Sequence, residues 1–114
     1  MAAAKSIAKL LERHTSVLAQ ELGENSTLLT RLGDKAVLTI LEQRAILREE
    51  KQELRGEILV EIISAKGFST FRQFCTVLET EFPHLLTQLL LDSTGKLAEC
   101  LFYHLFFFSQ QLFL

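Results

Sequence analysis

Two cysteines and three histidines are the side chains of this sequence best suited to metal binding or nucleophilic chemistry. They are Cys75, Cys100, His14, His84 and His104. A protein metal site usually takes paired ligands at a spacing such as Cys-x-x-Cys or His-x-x-x-His, and the sequence has neither pattern. We therefore expect no metal ion and no cofactor. Two cysteines are also too few for a secreted disulfide framework, which favours a reducing compartment.

No residue of the sequence is well placed to act as a catalytic nucleophile or as a general acid or base. Cys75 lies at helical spacing from Phe71 and Phe74, and among such neighbours a thiol behaves as a small hydrophobic side chain. The carboxylates of Glu49 and Glu50 are adjacent, so on a helix they point apart and cannot work together as general acid and base. The sequence also lacks a glycine-rich phosphate loop. We expect that the chain is not an enzyme.

The composition is that of one small globular domain. The chain has 114 residues, of which 48% are hydrophobic and 23% are charged, and its formal net charge is -2. A domain of this length buries a single core. Nucleic acid is disfavoured as a partner because no excess of basic residues matches a phosphate backbone. The segment from Met1 to Lys9 lacks the apolar stretch of a secretory signal, so we expect a cytoplasmic protein.

Hydrophobic residues recur at helical spacing along almost the whole chain, which indicates an all-α protein. Pro83 is the single proline, so few positions can break a helix. One apolar stripe predicts the first helix, which we expect to run unbroken until Gly23. The stripe consists of Ile7, Leu10, Leu11, His14, Leu18 and Leu22.

Capping signals place the second and third helices. Asn25 or Ser26 can cap a second helix, which should end near Asp34. Its inward-facing residues are expected to be Leu28, Leu29 and Leu32. Thr39 lies three residues before Glu42, the capping-box spacing, so a third helix should start at the next residue, Ile40. Its inward-facing residues are expected to be Leu41, Ala45 and Ile46.

Three further helices follow before Asp92. The fourth has the densest apolar stripe of the chain, made of Leu54, Ile58, Leu59, Ile62 and Ile63, and we expect it to be the core helix. Lys66 and Gly67 form its stop signal. Ser69 is predicted to cap a fifth helix, whose buried side should hold Phe71, Phe74, Cys75 and Leu78. Pro83 should open a sixth, which carries Leu85, Leu86, Leu89 and Leu90 inward.

The order of these elements from about Ile7 to Asp92 resembles a caspase recruitment domain, a six-helix antiparallel bundle of the death-fold superfamily. In the second and third helices the resemblance rests on Leu28, Leu29, Leu32, Asp34, Val37, Leu38, Thr39 and Ile46. In the last three helices it rests on Lys66, Gly67, Phe74, Cys75, Leu78, Glu79, Pro83, His84 and Leu85. We therefore predict such an all-α domain over residues 1–92, followed by an apolar C-terminal segment over residues 93–114.

The resemblance implies homotypic binding through opposed charged surfaces. In a common contact of this family, a basic surface of the first and fourth helices meets an acidic surface of the second and third. By position, the basic candidates here are Lys9, Arg13 and Arg55. The acidic candidates are Asp34, Glu42, Glu49 and Glu50. The first and fourth helices also carry acidic residues, namely Glu12, Glu21, Glu57 and Glu61.

The C-terminal segment has no counterpart in that resemblance. Residues 100–114 are rich in phenylalanine and leucine and carry no charged residue. Fifteen residues are fewer than the roughly 20 that a helix needs to span a bilayer. Three interpretations remain open: a seventh helix that packs on the bundle, a patch for a partner or a membrane, or an alternative C-terminus. We favour the last, in which exposed apolar residues would lower solubility.

These observations predict an interaction module. As the resemblance implies, we expect an adaptor or decoy regulator in apoptotic, inflammatory or NF-κB signalling. Its expected partners are proteins with a caspase recruitment domain, such as a caspase, an adaptor or a scaffold, together with further copies of this chain. The alternative is a small membrane-associated helical protein that uses the apolar residues 100–114.

Overall fold

The computed structural model describes residues 2–23, 26–95, 97–99 and 101. Up to Asp92 the described backbone forms seven α-helices, and no described residue is in a strand, which confirms the predicted all-α class. The helices are α1 (Ala2–Arg13), α2 (Thr15–Gln20), α3 (Thr27–Asp34), α4 (Ile40–Arg48), α5 (Gln52–Lys66), α6 (Phe68–Glu81) and α7 (Pro83–Asp92). The expectations for Cys100, His104 and the rest of residues 102–114 lie outside the described residues.

The core is organised around α5, which contacts α1, α2, α4 and α6. Its contacts agree with the predicted core helix, but of the predicted stripe only Leu59 and Ile63 are fully buried. The other three stripe residues are partly buried: Leu54, Ile58 and Ile62. Phe71 and Phe74 of α6 are fully buried as well, and the centres of their rings lie 6.5 Å apart. Burial of each such side chain contributes about 1.5–3 kcal/mol, so these helices supply much of the free energy that holds the bundle together.

The first predicted helix is two helices in the structure, because the chain turns at His14. This residue has φ -113° and ψ 17°, and its amide donates to the carbonyl of Leu11 at 3.0 Å, an i to i-3 bond. Its Nε2 lies 3.0 Å from Oδ2 of Asp92, at the end of α7. The apolar stripe continues across the break, and Leu18 and Leu22 are both buried. The prediction of one unbroken helix was wrong, since hydrophobic spacing alone contains no sign of the turn.

Side-chain caps begin α3 and α4 where the sequence predicts them. The hydroxyl of Ser26 accepts the amide hydrogen of Leu29 at 3.2 Å. Thr39 and Glu42 form the predicted capping box: the Glu42 carboxylate accepts from the Thr39 amide at 2.8 Å, and the Thr39 hydroxyl accepts from the Glu42 amide at 3.1 Å. A cap of this kind contributes typically about 1 kcal/mol by satisfying backbone donors.

The predicted inward face of α4 was wrong at two positions. Ile46 is fully buried, as expected, but Leu41 is 74% exposed and Ala45 is exposed as well. The reason is the position of α4 at the edge of the bundle, where its main contacts are with α3 and α5. Only one narrow side of the helix is covered, so a stripe of three residues is wider than the available contact.

The last three helices follow one another with one-residue connections. Gly67 separates α5 from α6 with φ +95°, a conformation that favours glycine. Helix α6 begins at the next residue, Phe68, so Ser69 lies inside it and is not its cap, contrary to the prediction. Pro83 is the first residue of α7, as expected, because a missing N–H costs nothing in a first turn.

Packing continues past the predicted domain boundary at Asp92. Residues 97–99 and 101 have helical backbone, and Leu97 and Leu101 are both part of the hydrophobic core, with 6% and 0% of their surface exposed. The core therefore includes side chains from the beginning of the segment that the sequence sets apart as a tail.

A buried arginine ties two separate stretches of backbone to α5. Arg55 of α5 is only 9% exposed. Its guanidinium donates to the carbonyl of Glu49 at 2.6 Å, to that of Leu22 at 2.9 Å and to that of Leu47 at 3.3 Å. Hydrogen bonds from a charged group contribute more than neutral ones, about 1.5–3 kcal/mol each. Arg55 thus ties the chain after α2, the last turn of α4 and the α4–α5 connection to the core helix.

The next residue, Gly56, allows α2 and α5 to approach closely. A methyl group added to Gly56 would lie 2.7 Å from the carbonyl oxygen of Thr15 and 2.9 Å from Cβ of Ala19. The oxygen belongs to the backbone and cannot rotate away, so any larger side chain would push the two helices apart. A glycine in a helix interior costs about 0.5–1 kcal/mol relative to alanine, and here the close contact explains its presence.

Lys66 joins the end of α5 to the connection between α3 and α4. Its ammonium donates to the carbonyl of Val37 at 2.8 Å and to Oε1 of Glu42 at 2.5 Å. Burial by itself raises the pKa of the Glu42 carboxyl. The hydrogen bonds from Lys66 and from Thr39 outweigh burial, and the pKa of Glu42 is lowered from its ordinary value of 4.5.

Replacement of Arg55 tests its role in stability. We expect Arg55→Met to lower the free energy of unfolding of the full chain by about 3 kcal/mol, because three carbonyl acceptors lose a charged donor. Urea unfolding followed by circular dichroism measures the change. Arg44→Met on the exposed side of α4 is the matched control, with an expected effect within about 0.5 kcal/mol. Equal effects of the two substitutions would contradict the role assigned to Arg55.

Gly56→Ala tests the close approach of α2 and α5. Alanine favours a helix, yet we expect a net loss of about 1–3 kcal/mol in the free energy of unfolding because the added methyl group overpacks the contact. Gly23→Ala, which meets nothing within 4 Å, is the control. The measurement is the urea midpoint of both variants, and a Gly56→Ala protein as stable as the control would show that the helices separate without cost.

Glu42→Gln tests the ion pair with Lys66 through its pH dependence. Because the pKa of Glu42 is lower in the folded chain, its ionised carboxylate stabilises the fold above pH 4.5 and loses that effect as the pH falls through the folded-state pKa. Glutamine retains the capping-box geometry, so the difference in unfolding free energy should stay below about 1 kcal/mol at pH 7 and shrink toward pH 3. Glu50→Gln is the exposed control. A difference independent of pH would contradict the ion-pair assignment.

Candidate protein-interaction site

Two of the three basic residues predicted for partner binding are exposed on α1. Lys9 and Arg13 are one helical turn apart, and together with Asp92 they line a cavity of about 250 Å³. Oδ2 of Asp92 lies 3.0 Å from Nε2 of His14. Neither Lys9 nor Arg13 belongs to an ion pair within the described part of the chain. The charges of Lys9 and Arg13 are therefore available to a partner.

The third predicted basic residue, Arg55, has an internal role. Its guanidinium is engaged with three carbonyl groups of the same chain, and little of the residue reaches the surface. The sequence offers no direct sign of this burial, because arginine is rarely buried and the acceptors come from distant backbone. Of the three predicted basic residues, only Lys9 and Arg13 on α1 therefore present positive charge at the surface.

Two of the four predicted acidic residues have ion partners within the chain. Oδ2 of Asp34, on α3, lies 3.7 Å from Arg31, which also donates to Glu81 at 2.8 Å. Glu42 is bonded to Lys66 through an ammonium–carboxylate contact. The carboxylate of Asp34 is partly neutralised by Arg31, and that of Glu42 is neutralised by Lys66, so both are less available to a partner than an unpaired carboxylate.

The other two predicted acidic residues lie between α4 and α5. Glu49 is half-buried and accepts a hydrogen bond from the backbone amide of Lys51 at 3.3 Å. Glu50 is exposed, and no ion pair among the described residues includes it. This connection therefore offers one fully accessible carboxylate beside a second that is partly engaged.

A groove between α1 and α5 carries four carboxylates. Glu12 on α1 and Glu53, Glu57 and Glu61 on α5 line a cavity of about 640 Å³, and Arg13 lines it as well. We call this cavity the α1–α5 groove. The three α5 residues recur every fourth position, a spacing that places them on one helix face. That spacing is legible in the sequence, although Glu53 was not among the predicted residues.

The exposed side of α4 combines apolar and basic residues. Ile40 is 67% exposed, Leu41 74% and Leu47 39%, and these are large hydrophobic side chains. Arg44 and Arg48 are exposed between them and have no ion partner within the described residues. We call these five residues the α4 face. The sequence prediction missed it because it assigned Leu41 to the core.

We also looked among the described residues for a metal site, a reactive cysteine and a membrane-spanning helix. No group of three or more histidine, cysteine or acidic side chains among residues 2–23, 26–95, 97–99 and 101 could hold a metal ion. Cys75 is fully buried in the core, beyond the reach of a substrate. None of the helices formed by these residues has the length and apolar character needed to cross a membrane.

Searches of the curated proteins and of the solved structures found no match to this chain. A sequence model of the caspase recruitment domain matches residues 8–92, which is well over half of the chain and includes all of α2 to α7. The match agrees with the all-α bundle and confirms the resemblance identified from the sequence. The chain belongs to the caspase recruitment domain family.

Proposed function

We propose that this chain binds other caspase recruitment domains and regulates the assembly that they form, as an adaptor or a decoy in apoptotic, inflammatory or NF-κB signalling. Membership of the family makes the chain a homotypic protein–protein interaction module, a kind of domain that is not a catalytic fold. Its partner in this proposal is a caspase, an adaptor or a scaffold that contains such a domain, in the cytoplasm.

The observation that carries the proposal is the presence of free charges of both signs on separate surfaces. Lys9 and Arg13 present positive charge on α1, whereas Glu50 presents negative charge after α4. These groups form no ion pair with other described residues of the same copy, so a partner with matching surfaces can pair with them. A single exposed pair contributes only about 0–1 kcal/mol, and the contact must therefore depend on several pairs together.

Adaptor and decoy differ in how many surfaces of the chain are used at once. A chain that engages one partner through the α1 surface and another through the α4 side extends an assembly, because the contact does not close on itself. A chain that offers only one of these surfaces to its partner occupies the end of the assembly and stops growth. Addition of the full chain to a partner that polymerises distinguishes the two, since an adaptor enters the polymer and a decoy shortens it.

Reversal of the basic pair tests the proposed contact. We expect the combined substitutions Lys9→Glu and Arg13→Glu to weaken binding of the full chain to its partner domain by about tenfold or more, because attraction is replaced by repulsion. The measurement is fluorescence anisotropy against a panel of purified caspase recruitment domains that includes a second copy of this chain.

The control for that experiment is the pair Lys35→Glu and Arg72→Glu, which changes the net charge equally at exposed positions after α3 and on α6. We expect the control to bind within about twofold of the original chain, since screening weakens distant charges. Failure of the chain to bind any member of the panel would overturn the proposed function, and equal binding by both double variants would remove the α1 surface from it.

A further inference from the structure

The cavity beside Lys9 and Arg13 lies between α1 and the stretch of chain that begins at the end of α7. Its volume is about 250 Å³. Leu10 of α1 and Leu97 contribute to its lining, and both leucines are buried in the core. Because each wall includes a core side chain, the two walls are held in place by the packing of the domain. We call this space the α1–α7 cavity.

Positive charge exceeds negative charge in the α1–α7 cavity. Lys9 and Arg13 belong to no ion pair among the described residues. The described lining contains one carboxylate, that of Asp92, and its Oδ2 lies 3.0 Å from Nε2 of His14. Two neighbouring cations with no anionic partner suit a group that has several negative oxygens. A phosphoryl group is of this kind, with a charge of about -1.5 to -2 at pH 7.

Three hydroxyl side chains line the same cavity, and they differ in access to a kinase. Ser6 lies within α1, so its backbone is helical, and a helix must unfold before a kinase can bind it as an extended substrate. Ser93 is half-buried, and its hydroxyl donates to the carbonyl of Leu90 at 2.8 Å. Thr94 is exposed and lies beyond the end of α7, and its hydroxyl forms no hydrogen bond with another described residue. The accessible hydroxyl of the cavity is therefore that of Thr94.

We propose that Thr94 is a phosphorylation site whose phosphate is held in the α1–α7 cavity by Lys9 and Arg13. A protein kinase supplies the group from ATP. The hydroxyl oxygen of Thr94 bonds to the γ-phosphorus, the bond from that phosphorus to the β,γ-bridging oxygen breaks, ADP leaves, and the hydroxyl proton passes to a base of the kinase. The guanidinium of Arg13 can then bind two phosphate oxygens at once, and the ammonium of Lys9 adds a further charged donor.

The phosphate would switch off the α1 surface for a partner. This step rests on the proposed function, in which Lys9 and Arg13 pair with carboxylates of another domain. A phosphate on the same chain reaches these two cations without a bimolecular encounter, so its effective concentration is higher than that of a partner. The phosphorylated chain keeps its fold but no longer presents free positive charge on α1. Phosphorylation of Thr94 is thus a regulatory input to the proposed contact.

Titration of the phosphate tests whether the cavity holds it. The full chain is made with phosphothreonine incorporated at Thr94 during synthesis, and phosphorus NMR follows the second pKa of the phosphate, ordinarily about 6. Nearby cations favour the doubly charged form, so this pKa should be lower by about 0.5 or more than in the same chain with Lys9→Met and Arg13→Met. Asp92 and His14, the other titratable groups beside the phosphate, are the same in both chains.

The matched control carries phosphothreonine at Thr87 instead. This residue is exposed on α7 and lies outside the cavity lining. We expect the pKa of its phosphate to be the same with and without the two methionine substitutions, because the cations are distant and are screened. Circular dichroism verifies that every chain is helical, so that a missing effect is not loss of folding.

Binding and mapping complete the experiment. In the anisotropy panel, phosphate on Thr94 should weaken binding about tenfold or more relative to the unmodified chain, whereas phosphate on Thr87 should change it by less than about twofold. Mass spectrometry of the full chain, isolated from eukaryotic cells treated with a phosphatase inhibitor, locates the modification. We expect the phosphate on Thr94 and not on Ser93 or Ser6.

Each part of the inference has a result that would overturn it. A phosphate pKa that is the same with and without Lys9 and Arg13 would show that the cavity does not hold the group. Absence of phosphate on Thr94 in the chain from cells would remove the modification, and undiminished binding by the phosphorylated chain would remove its regulatory effect. An unmodified chain that binds no member of the panel removes the proposed function, while the titration still decides whether Lys9 and Arg13 bind the phosphate.

Discussion

The three hydrogen bonds of the Arg55 guanidinium hold the end of α4 and the chain after α2 against the core helix α5. Their acceptors are the carbonyl of Leu22, after α2, and the carbonyls of Leu47 and Glu49, at the end of α4. A buried cation is strongly unfavourable unless its donors are satisfied, so neither of these two stretches of backbone can shift without a large cost. This matters most for α4, which contributes only Ile46 to the buried core. A polar contact thus fixes a helix that apolar packing would hold weakly.

The same helix that carries Arg55 also divides the molecule into an inner and an outer side. Leu59 and Ile63 of α5 face the core, whereas Glu57 and Glu61 line the α1–α5 groove. Because Gly56 lets α2 approach α5 closely, that side of the core helix is sealed by backbone contact. The helix that forms the wall of the groove is therefore the same helix that is packed rigidly in the core. A binding surface built on such a helix loses little conformational entropy when a partner arrives.

Local signals and tertiary contacts explain which parts of the structure the sequence could predict. The caps at Ser26 and Thr39 and the proline at the start of α7 depend on neighbouring residues, so their positions followed from the sequence. The break at His14 and the burial of Arg55 involve groups far along the chain, such as Asp92 and Leu22. The spacing of hydrophobic residues therefore could not predict either feature. Among the candidate site residues, exposure could be judged for α1 but not for α4, whose covered side is set by how the bundle closes around Ile46. The acidic row of the groove was legible as a four-residue repeat, but only the fold shows that α1 lies beside it.

Leu97 and Leu101 have a consequence for the order in which the chain can fold as it is synthesised. The core that they enter also contains Ile7, from the first helix, and Leu11 beside it. A ribosome releases the chain from its N-terminus, so these early residues emerge long before the late leucines do. Until Leu101 has left the exit tunnel, the apolar sides of the early helices have no complete core to enter. The nascent chain must then expose them to water, or to a chaperone, for most of the time that it takes to make the domain.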